Sequence, residues 1–319
     1  MTVIDFLEEH NIYYEKKIDL TSKTWIKRGG IADVWIQPLA MNVFEEIIIW
    51  CQSNGVEFEI IGNASNCYFT YIYNPKIVIS TLKLNKMTKF DHYISCECGV
   101  NISKFSKFCN NNGFSGYEGL IGLPGTVGGA AVNNAGCYGS VMEDLVLSVV
   151  VLQGGKKRVL NNDELKYKYR NSIIKSKEIQ AVVCEVNFNT SKKEDPIKLK
   201  FKVKKFQLLR KNTQQNALFN LGTTFYGLKF KRLPFFLNMI YYFLKGLIKI
   251  IVFDNVKRQK INTKLFHVFY ATGEFKKYIS DYNIGCFVWK DDYADKAFLK
   301  YLSFLKKQSI EGTMEIEIK

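Results

Sequence analysis

The residues best able to do chemistry are a run of glycines: Gly119-Leu-Ile-Gly-Leu-Pro-Gly-Thr-Val-Gly-Gly-Ala-Ala-Val-Asn-Asn-Ala-Gly-Cys-Tyr-Gly139. Gly122, Gly125, Gly128, Gly129 and Gly136 lack the Cβ atoms that would hold a planar or phosphorylated ligand away from the backbone. They also permit φ > 0, so that successive N–H groups can converge on one concavity and bind a diphosphate. Pro124 fixes one bend and Thr126 offers a hydroxyl. A second small-residue turn, Gly62-Asn63-Ala64-Ser65-Asn66, follows a predicted strand and suits phosphate oxygens. A third, Arg28-Gly29-Gly30-Ile31-Ala32, precedes a short strand. Neither turn carries the Gly-Lys-Ser/Thr of a Walker loop, and neither has dinucleotide-fingerprint spacing. Glycine spacing by itself leaves a purely structural loop open as the alternative.

Other residue types narrow the chemistry. Cysteines at 51, 67, 96, 98, 109, 137, 184 and 286 lie scattered in apolar stretches without a repeated spacing. With no export signal at the N-terminus, they read as reduced cytosolic thiols. The one close pair, Cys96-Glu97-Cys98, falls in an alternating run that reads as a strand. His10, His92 and His267 sit near no other ligand-type residues, so no metal site is expected.

The elements that must position these loops follow from periodicity and turn residues. Residues 42–54 read as a helix stopped by Gly55, followed by a strand Val56–Ile61 that delivers Gly62. Lys76–Thr81 reads as a strand, and Ile102, Phe105 and Phe108 or Cys109 recur at helical spacing up to Gly113. Residues 113–139 hold nine of the 22 glycines and have little local propensity of their own. Leu145–Gln153 and Lys157–Leu160 form a hairpin about Gly154-Gly155, and Gln180–Asn189 is a further strand. The polar stretch 190–196 marks a boundary. After it, Ile197–Val203 fits both strand and helix, with length favouring the helix; 294–308 is an amphipathic helix and Thr313–Lys319 a last strand.

Charge is unevenly placed. The chain carries a net +15, and residues 191–270 contain 18 Lys or Arg against Glu194, Asp195 and Asp254, a local balance of 18 − 3 = +15. The rest of the chain is neutral. Such a segment attracts a polyanion, whether a nucleotide diphosphate, a nucleic acid or an anionic lipid surface; solvated lysines without a partner are the plainer alternative. Within it, 235–253 is long and apolar but interrupted by Asn238, Lys245, Gly246 and Lys249. A central lysine costs about 2.5–3.5 kcal/mol on insertion scales, which argues against spanning. The default is a buried helix; weak association of 229–260 with a membrane surface is the alternative.

The 119–139 segment resembles the flavin-binding core of bacterial UDP-N-acetylenolpyruvoylglucosamine reductases. Thr24–Ala32, Gly62–Asn66, Tyr169-Arg170-Asn171-Ser172, Gly222-Thr-Thr-Phe225 and Met314–Ile318 follow in the family's order. The likeness is close over residues 20–190 and thin thereafter. It implies an α+β protein with a vanillyl-alcohol-oxidase/PCMH-type FAD-binding fold of two α/β lobes (1–75 and 76–190) and a C-terminal α+β substrate domain (191–319). It implies non-covalent FAD held by Gly29, Gly30, Gly62, Asn63, Ala64, Ser65, Asn66, Gly122, Pro124, Gly125, Thr126, Gly128, Gly129, Asn134 and Gly136. The implied reaction, a step of peptidoglycan synthesis in the bacterial cytoplasm, uses NADPH to reduce the enolpyruvyl ether of a UDP-sugar to a lactyl ether. Nucleic acid is not an expected partner.

Charge builds on the substrate carboxylate during that reduction, so the reaction needs a cation there, a nearby acid and a hydroxyl to donate a proton. The resemblance assigns Arg170, Glu317 and Thr223 to these roles, with Tyr169 and Lys229 as further substrate contacts. This chain departs from the pattern: the motif's serine is Thr223, its lysine Tyr226, and the expected Gly-Gly-Gly is Gly62-Asn63-Ala64. Threonine keeps the hydroxyl but adds a methyl and a stiffer χ1. Two alternatives stand beside the peptidoglycan reductase: a relative acting on another enolpyruvyl sugar for a surface polysaccharide, and a flavin-binding or membrane-surface protein without catalysis.

Overall fold

In the N-terminal half, short runs of β-branched residues become the strands of two sheets. The computed structural model describes residues 1–214, 219–270 and 272–319. They divide into two units, one of Met1–Thr24, Gly29–Ser65 and Tyr71–Gln207, the other of Trp25–Arg28, Asn66–Thr70 and Leu208–Lys319.

In the first unit, one sheet runs in the order Tyr14–Asp19, Ile31–Ile36, Ile77–Ser80, Glu59–Ile61. The first pair is antiparallel and the other two are parallel. Ile77–Ser80 is buried at all four positions, as expected of a strand covered on both faces. The helix Met41–Ser53 lies between two of these strands in sequence and buries Phe44, Ile47, Ile48 and Cys51, a single helical face. Val56 N–H still bonds Cys51 O at 2.9 Å, and Gly55 sits at φ 62°. That turn takes up the start of the expected strand, which shortens to Glu59–Ile61.

The second sheet is antiparallel throughout, in the order Lys156–Asn161, Val146–Gln153, Val182–Asn189, Tyr93–Glu97, Met87–Lys89. Gly154 and Gly155, both at positive φ, make its tight hairpin. The helix Ile102–Asn111 is capped by Asn101, whose side chain accepts from Lys104 N–H, and it buries Ile102, Phe105 and Cys109. Both sheets feed one core that includes Phe44, Ile79, Ile94, Phe105, Val149, Val186 and Phe188. Inside the glycine run, Thr126 caps a six-residue helix, Val127–Val132. The ambiguous 197–203 stretch is helical, part of Pro196–Thr213, with proline at the first position where its missing N–H costs nothing.

The second unit pairs Phe225–Phe230 with Ser309–Met314 and carries the helices Phe235–Ile251, Asn255–Phe269 and Ala294–Gln308. Its core is mainly aromatic: Tyr68, Phe275, Tyr278, Phe287, Trp289, Phe298 and Tyr301. The C-terminal strand differs from the single run expected. Ser309–Met314 joins the hairpin; the chain then breaks at Glu315 and Ile316, both buried, and Glu317–Ile318 pairs in parallel with Cys67–Tyr68. The larger correction concerns 235–253, expected to be a buried helix. The helix Phe235–Ile251 forms, yet only Tyr241 in it is buried. Apolar content set the expectation, but the rest of this unit supplies only one side of the helix with packing partners.

Candidate functional site

Two turns of the first unit face each other. A Cβ at Gly62 would lie 2.4 Å from Thr126 Oγ1, and one at Gly125 would lie 2.9 Å from Ser65 Oγ. Each turn thus has a glycine where the other presents a hydroxyl, and a larger residue at either would push them apart. Ala64 is buried with φ at 49°, and Gly125 has φ at 116°, so both turns pass through backbone regions that rarely hold side chains. The N–H groups of Asn63, Ala64, Ser65, Gly125 and Thr126 donate to no other described residue. Backbone amides left available in such small-residue turns are the groups that can bind phosphate oxygens.

The rest of the glycine run behaves differently from the expectation that its amides as a group face a ligand. Gly119 N–H bonds Ser140 Oγ at 3.0 Å, Gly122 N–H bonds Ser103 Oγ at 2.8 Å, and Gly128 N–H bonds Cys98 O at 2.9 Å. A Cβ on Gly128 would lie 2.7 Å from that of Cys98, and one on Gly119 only 2.1 Å from Cys137 O. Gly119 and Gly128 allow backbone to meet backbone, and Gly122 is tied down by Ser103. Gly30 is similarly tight, its missing Cβ lying 2.4 Å from Tyr73 O, and Gly29 adjoins Leu20. Pro124 and Gly129 are in the cradle's own turn and the first turn of its helix.

Arg170 is hydrogen-bonded to the glycine run. Its Nη2 donates to Gly136 O at 3.0 Å, its guanidinium lies over the Tyr169 ring at 5.4 Å, and its φ is 52°. Asn134 Nδ2 donates to Lys168 O at 2.9 Å while its Oδ1 accepts from Glu143 N–H at 3.0 Å. Ser172 Oγ donates to Val132 O at 2.7 Å. The Tyr169–Ser172 turn and the end of the helix Val127–Val132 are therefore one hydrogen-bonded block, in which Asn134 is a strut. The left-handed φ of Arg170 is backbone strain of the sort that surrounding bonds must maintain.

In the second unit the two threonines of Gly222-Thr-Thr-Phe separate in role. Thr224 is fully buried, and its Oγ1 accepts from Phe287 N–H at 3.3 Å. Thr223 is half-buried, and its Oγ1 accepts from Asn283 Nδ2 at 3.3 Å. With that lone pair engaged, the Thr223 O–H proton is directed away from Asn283. Glu317 is opposite Cys67 in the parallel pair, with Cys67 Sγ 4.0 Å from Glu317 Oε2. Asn66, the last residue of the second turn, donates from Nδ2 to Glu315 O at 3.0 Å. Lys229 is paired with Glu311 at 2.7 Å. Arg28 Nε lies 3.4 Å from an Asp295 oxygen and its Nη2 donates to Asp291 O, so it anchors a turn within this unit.

Of the residues expected at the site, the structure thus joins Gly62–Ser65 to Gly125–Thr126, and Arg170 to Gly136, with Asn134 bonded to Lys168 in the same block. Thr223, Glu317, Lys229 and Asn66 belong to the other unit. Sequence reasoning missed Ser103, which ties down Gly122, and Asn283, which orients Thr223. Asn283 could have been found: its Oδ1 accepts from Gly285 N–H at 2.8 Å, an Asx turn that Asn-Ile-Gly announces. The eight cysteines are all free thiols, and burial raises Cys51 to about 11 and Cys184 to about 12.

The facing turns, with five available amides and no room for a Cβ at Gly62 or Gly125, fit the diphosphate of a dinucleotide such as FAD. Comparison agrees: residues 32–160 match a family described as the FAD binding domain. A solved structure, the UDP-N-acetylenolpyruvylglucosamine reductase (MurB) of Thermus caldophilus, superposes with a TM-score of 0.66 at 18% identity, covering 96% of this chain and 99% of that one. The matched FAD binding domain, with the sequence relatives, defines an FAD-dependent oxidoreductase.

Sequence relatives are more specific. The UDP-N-acetylenolpyruvoylglucosamine reductase of Orientia tsutsugamushi is 31% identical over 234 residues, 70% of this chain and 75% of the relative. That of Clostridium beijerinckii is 29% identical over 219 residues, 67% of this chain and 71% of the relative. The chain belongs to the UDP-N-acetylenolpyruvoylglucosamine reductase family.

Proposed function

We propose that this enzyme uses NADPH to reduce the enolpyruvyl ether of UDP-N-acetylenolpyruvoylglucosamine to the lactyl ether of UDP-N-acetylmuramate. The observation that carries the reading is the pair of facing turns, Gly62–Ser65 and Gly125–Thr126, in a chain whose relatives are such reductases. FAD, when bound, supplies the relay that takes hydride from NADPH and passes it to the terminal vinyl carbon. The amides of Asn63, Ala64, Ser65, Gly125 and Thr126 hold its diphosphate in this reading, on a scaffold set by Gly122, Pro124, Gly128, Gly129 and Gly136.

The protein's own groups handle charge and proton. The Arg170 guanidinium neutralises the substrate carboxylate as enolate charge develops, its planar fork matching two oxygens. The Thr223 hydroxyl gives its proton to the carbon next to the carboxylate, completing addition of H⁻ and H⁺ across the double bond, and Glu317 serves as the acid partner. Tyr169 lines the substrate, and Lys229 exchanges Glu311 for a phosphate oxygen. Free thiols and the nucleotide substrates support a bacterial cytoplasmic location.

A second reading is favoured by Thr223 and Tyr226, where the family pattern has serine and lysine: the same chemistry on a different enolpyruvyl sugar. The test is direct. Purified protein should be yellow, release FAD on denaturation, and oxidise NADPH only when UDP-N-acetylenolpyruvoylglucosamine is present. Flavin bleaching by NADPH with no turnover of that compound assigns the second reading. Colourless protein unable to take up FAD refutes both.

A further inference from the structure

The helix Phe235–Ile251 turns the usual logic of a surface helix around. On a helical wheel of 100° per residue, Tyr242, Phe235, Gly246, Met239, Ile250, Phe243, Phe236, Leu247, Ile240 and Ile251 occupy one continuous arc about half the circumference wide. That arc holds no polar side chain apart from the tyrosine hydroxyl, and every residue in it is exposed; Phe235, Phe236, Phe243 and Ile250 are each exposed by about 70%. The helix's three polar residues, Asn238, Lys245 and Lys249, cluster on the other side. Inward, Tyr241 packs on Phe269, the last residue of the helix Asn255–Phe269, and on Tyr270 just beyond it, at 5.2 and 5.9 Å. A contiguous exposed apolar surface of this kind marks a binding face.

The charge around that face selects its occupant. Residues 229–264 carry Lys229, Lys231, Arg232, Lys245, Lys249, Lys257, Arg258, Lys260 and Lys264 against Asp254 alone, a balance of 9 − 1 = +8. A second copy of this face would bring the same positive charge, which opposes self-association through it. An anionic bilayer supplies both missing partners, acyl chains for the arc and phosphate headgroups for the bases. At 1.5 Å per residue the helix is about 25 Å long, short of a tilted span. No described helix is long and apolar enough to cross a membrane.

We propose that the helix Phe235–Ile251 is an interfacial anchor that lies in the headgroup region of an anionic phospholipid bilayer, its Phe236/Phe243/Ile250 arc inserted and the flanking lysines on the phosphates. The inference does not rest on the reductase reading, because binding to vesicles requires no turnover.

The test is flotation of the full-length holoprotein with vesicles of phosphatidylglycerol and phosphatidylcholine, or of phosphatidylcholine alone, at low and high salt. The expected result is flotation with the anionic vesicles, at least tenfold weaker on neutral ones and weakened by salt. Phe236→Gln/Phe243→Gln should reduce binding at least tenfold, and Lys231→Gln/Arg232→Gln, two exposed bases flanking the helix, about fivefold per charge removed. Both variants should keep the wild-type FAD content and melting temperature, which establishes that they are folded. No flotation, equal flotation with neutral vesicles, or unchanged flotation of the phenylalanine variant would overturn the proposal. So would a wild-type dimer in sedimentation that Phe236→Gln/Phe243→Gln converts to monomer, since a second copy would then own the face.

Discussion

The two units hide apolar surface in opposite ways. In the first, most strands and helices with a periodic apolar pattern find a partner in the same unit, and the result is one core shared by two sheets; Pro196–Thr213, which buries only Leu199, is the exception. In the second, an aromatic core of modest size coexists with a helix whose most apolar arc faces outward. The first unit holds the proposed cofactor cradle, while the second holds Thr223, Glu317 and most of the excess positive charge. The difference teaches that hydrophobicity in a sequence records what avoids water and not what covers it. In the first unit the cover lies within the same fold; for the outward arc of Phe235–Ile251 the described residues leave every side chain exposed.

If the units divide the work this way, substitutions should separate cofactor retention from turnover. Thr223→Val, in the second unit, removes the proton donor and should lower turnover by about 10²–10⁴-fold with FAD content unchanged. Thr223→Ser should turn over as fast or faster. Equal rates for the two would remove Thr223 from the mechanism. In the first unit, Gly62→Val forces a side chain against Thr126, whose Oγ1 is 2.4 Å from the Cβ position. Its purified form should carry little FAD, read from the flavin absorbance per mole of protein, and should recover turnover in excess FAD if the fold survives.

The core comparison gives the next largest effect. Phe298 is fully buried among Tyr68, Phe287 and Trp289, with ring centroids within about 5 Å. Phe298→Ala should cost about 3–5 kcal/mol of stability, measured by denaturant unfolding. A smaller loss would mean that the aromatic cluster adapts as a loosely packed core does.

What could be read in advance follows the same division. Strands and helices of the first unit were legible because their periodicity reports burial: the face of Phe44, Ile47, Ile48 and Cys51 and the alternation at Tyr93–Glu97 both hold in the structure. The glycine run was legible as a special backbone, but spacing could not distinguish Gly119 and Gly128, which close on the protein's own backbone, from Gly125, which faces the other turn. That distinction depends on non-local neighbours, Cys137, Cys98 and Ser65. The split of the C-terminal strand at Glu315 and the outward arc of Phe235–Ile251 were illegible for the same reason, since pairing partners and cover are tertiary properties. Asn283 stood in plain view as a turn residue, and only the fold brings it to Thr223.

A pH effect of intermediate size belongs to the second unit. His267 is buried beside Thr272 Oγ1, 2.8 Å from its Nδ1, and desolvation, with Lys276 contributing, lowers its pKa to about 4. The unfolded chain, with a histidine near 6.5, then binds more protons than the folded one between these values, so stability is full above pH 6.5 and falls as pH drops toward 4. The expected loss at pH 5 is about 2 kcal/mol, and His267→Gln should flatten that part of the profile. An unchanged slope in the variant would assign the acid sensitivity to other groups.

The smallest expected effect is the sharpest test of the contrast between the units. Phe243 is as large and as apolar as Phe298, but 68% exposed where Phe298 is buried. In water, Phe243→Ala removes a side chain that few protein atoms surround, so stability should change by less than about 0.5 kcal/mol. A folded-state cost near that of Phe298→Ala would mean that the outward arc is covered in solution, either by part of this chain or by another copy. Repeating the measurement across a hundredfold range of protein concentration distinguishes these cases, because only cover by a second copy makes the cost depend on concentration.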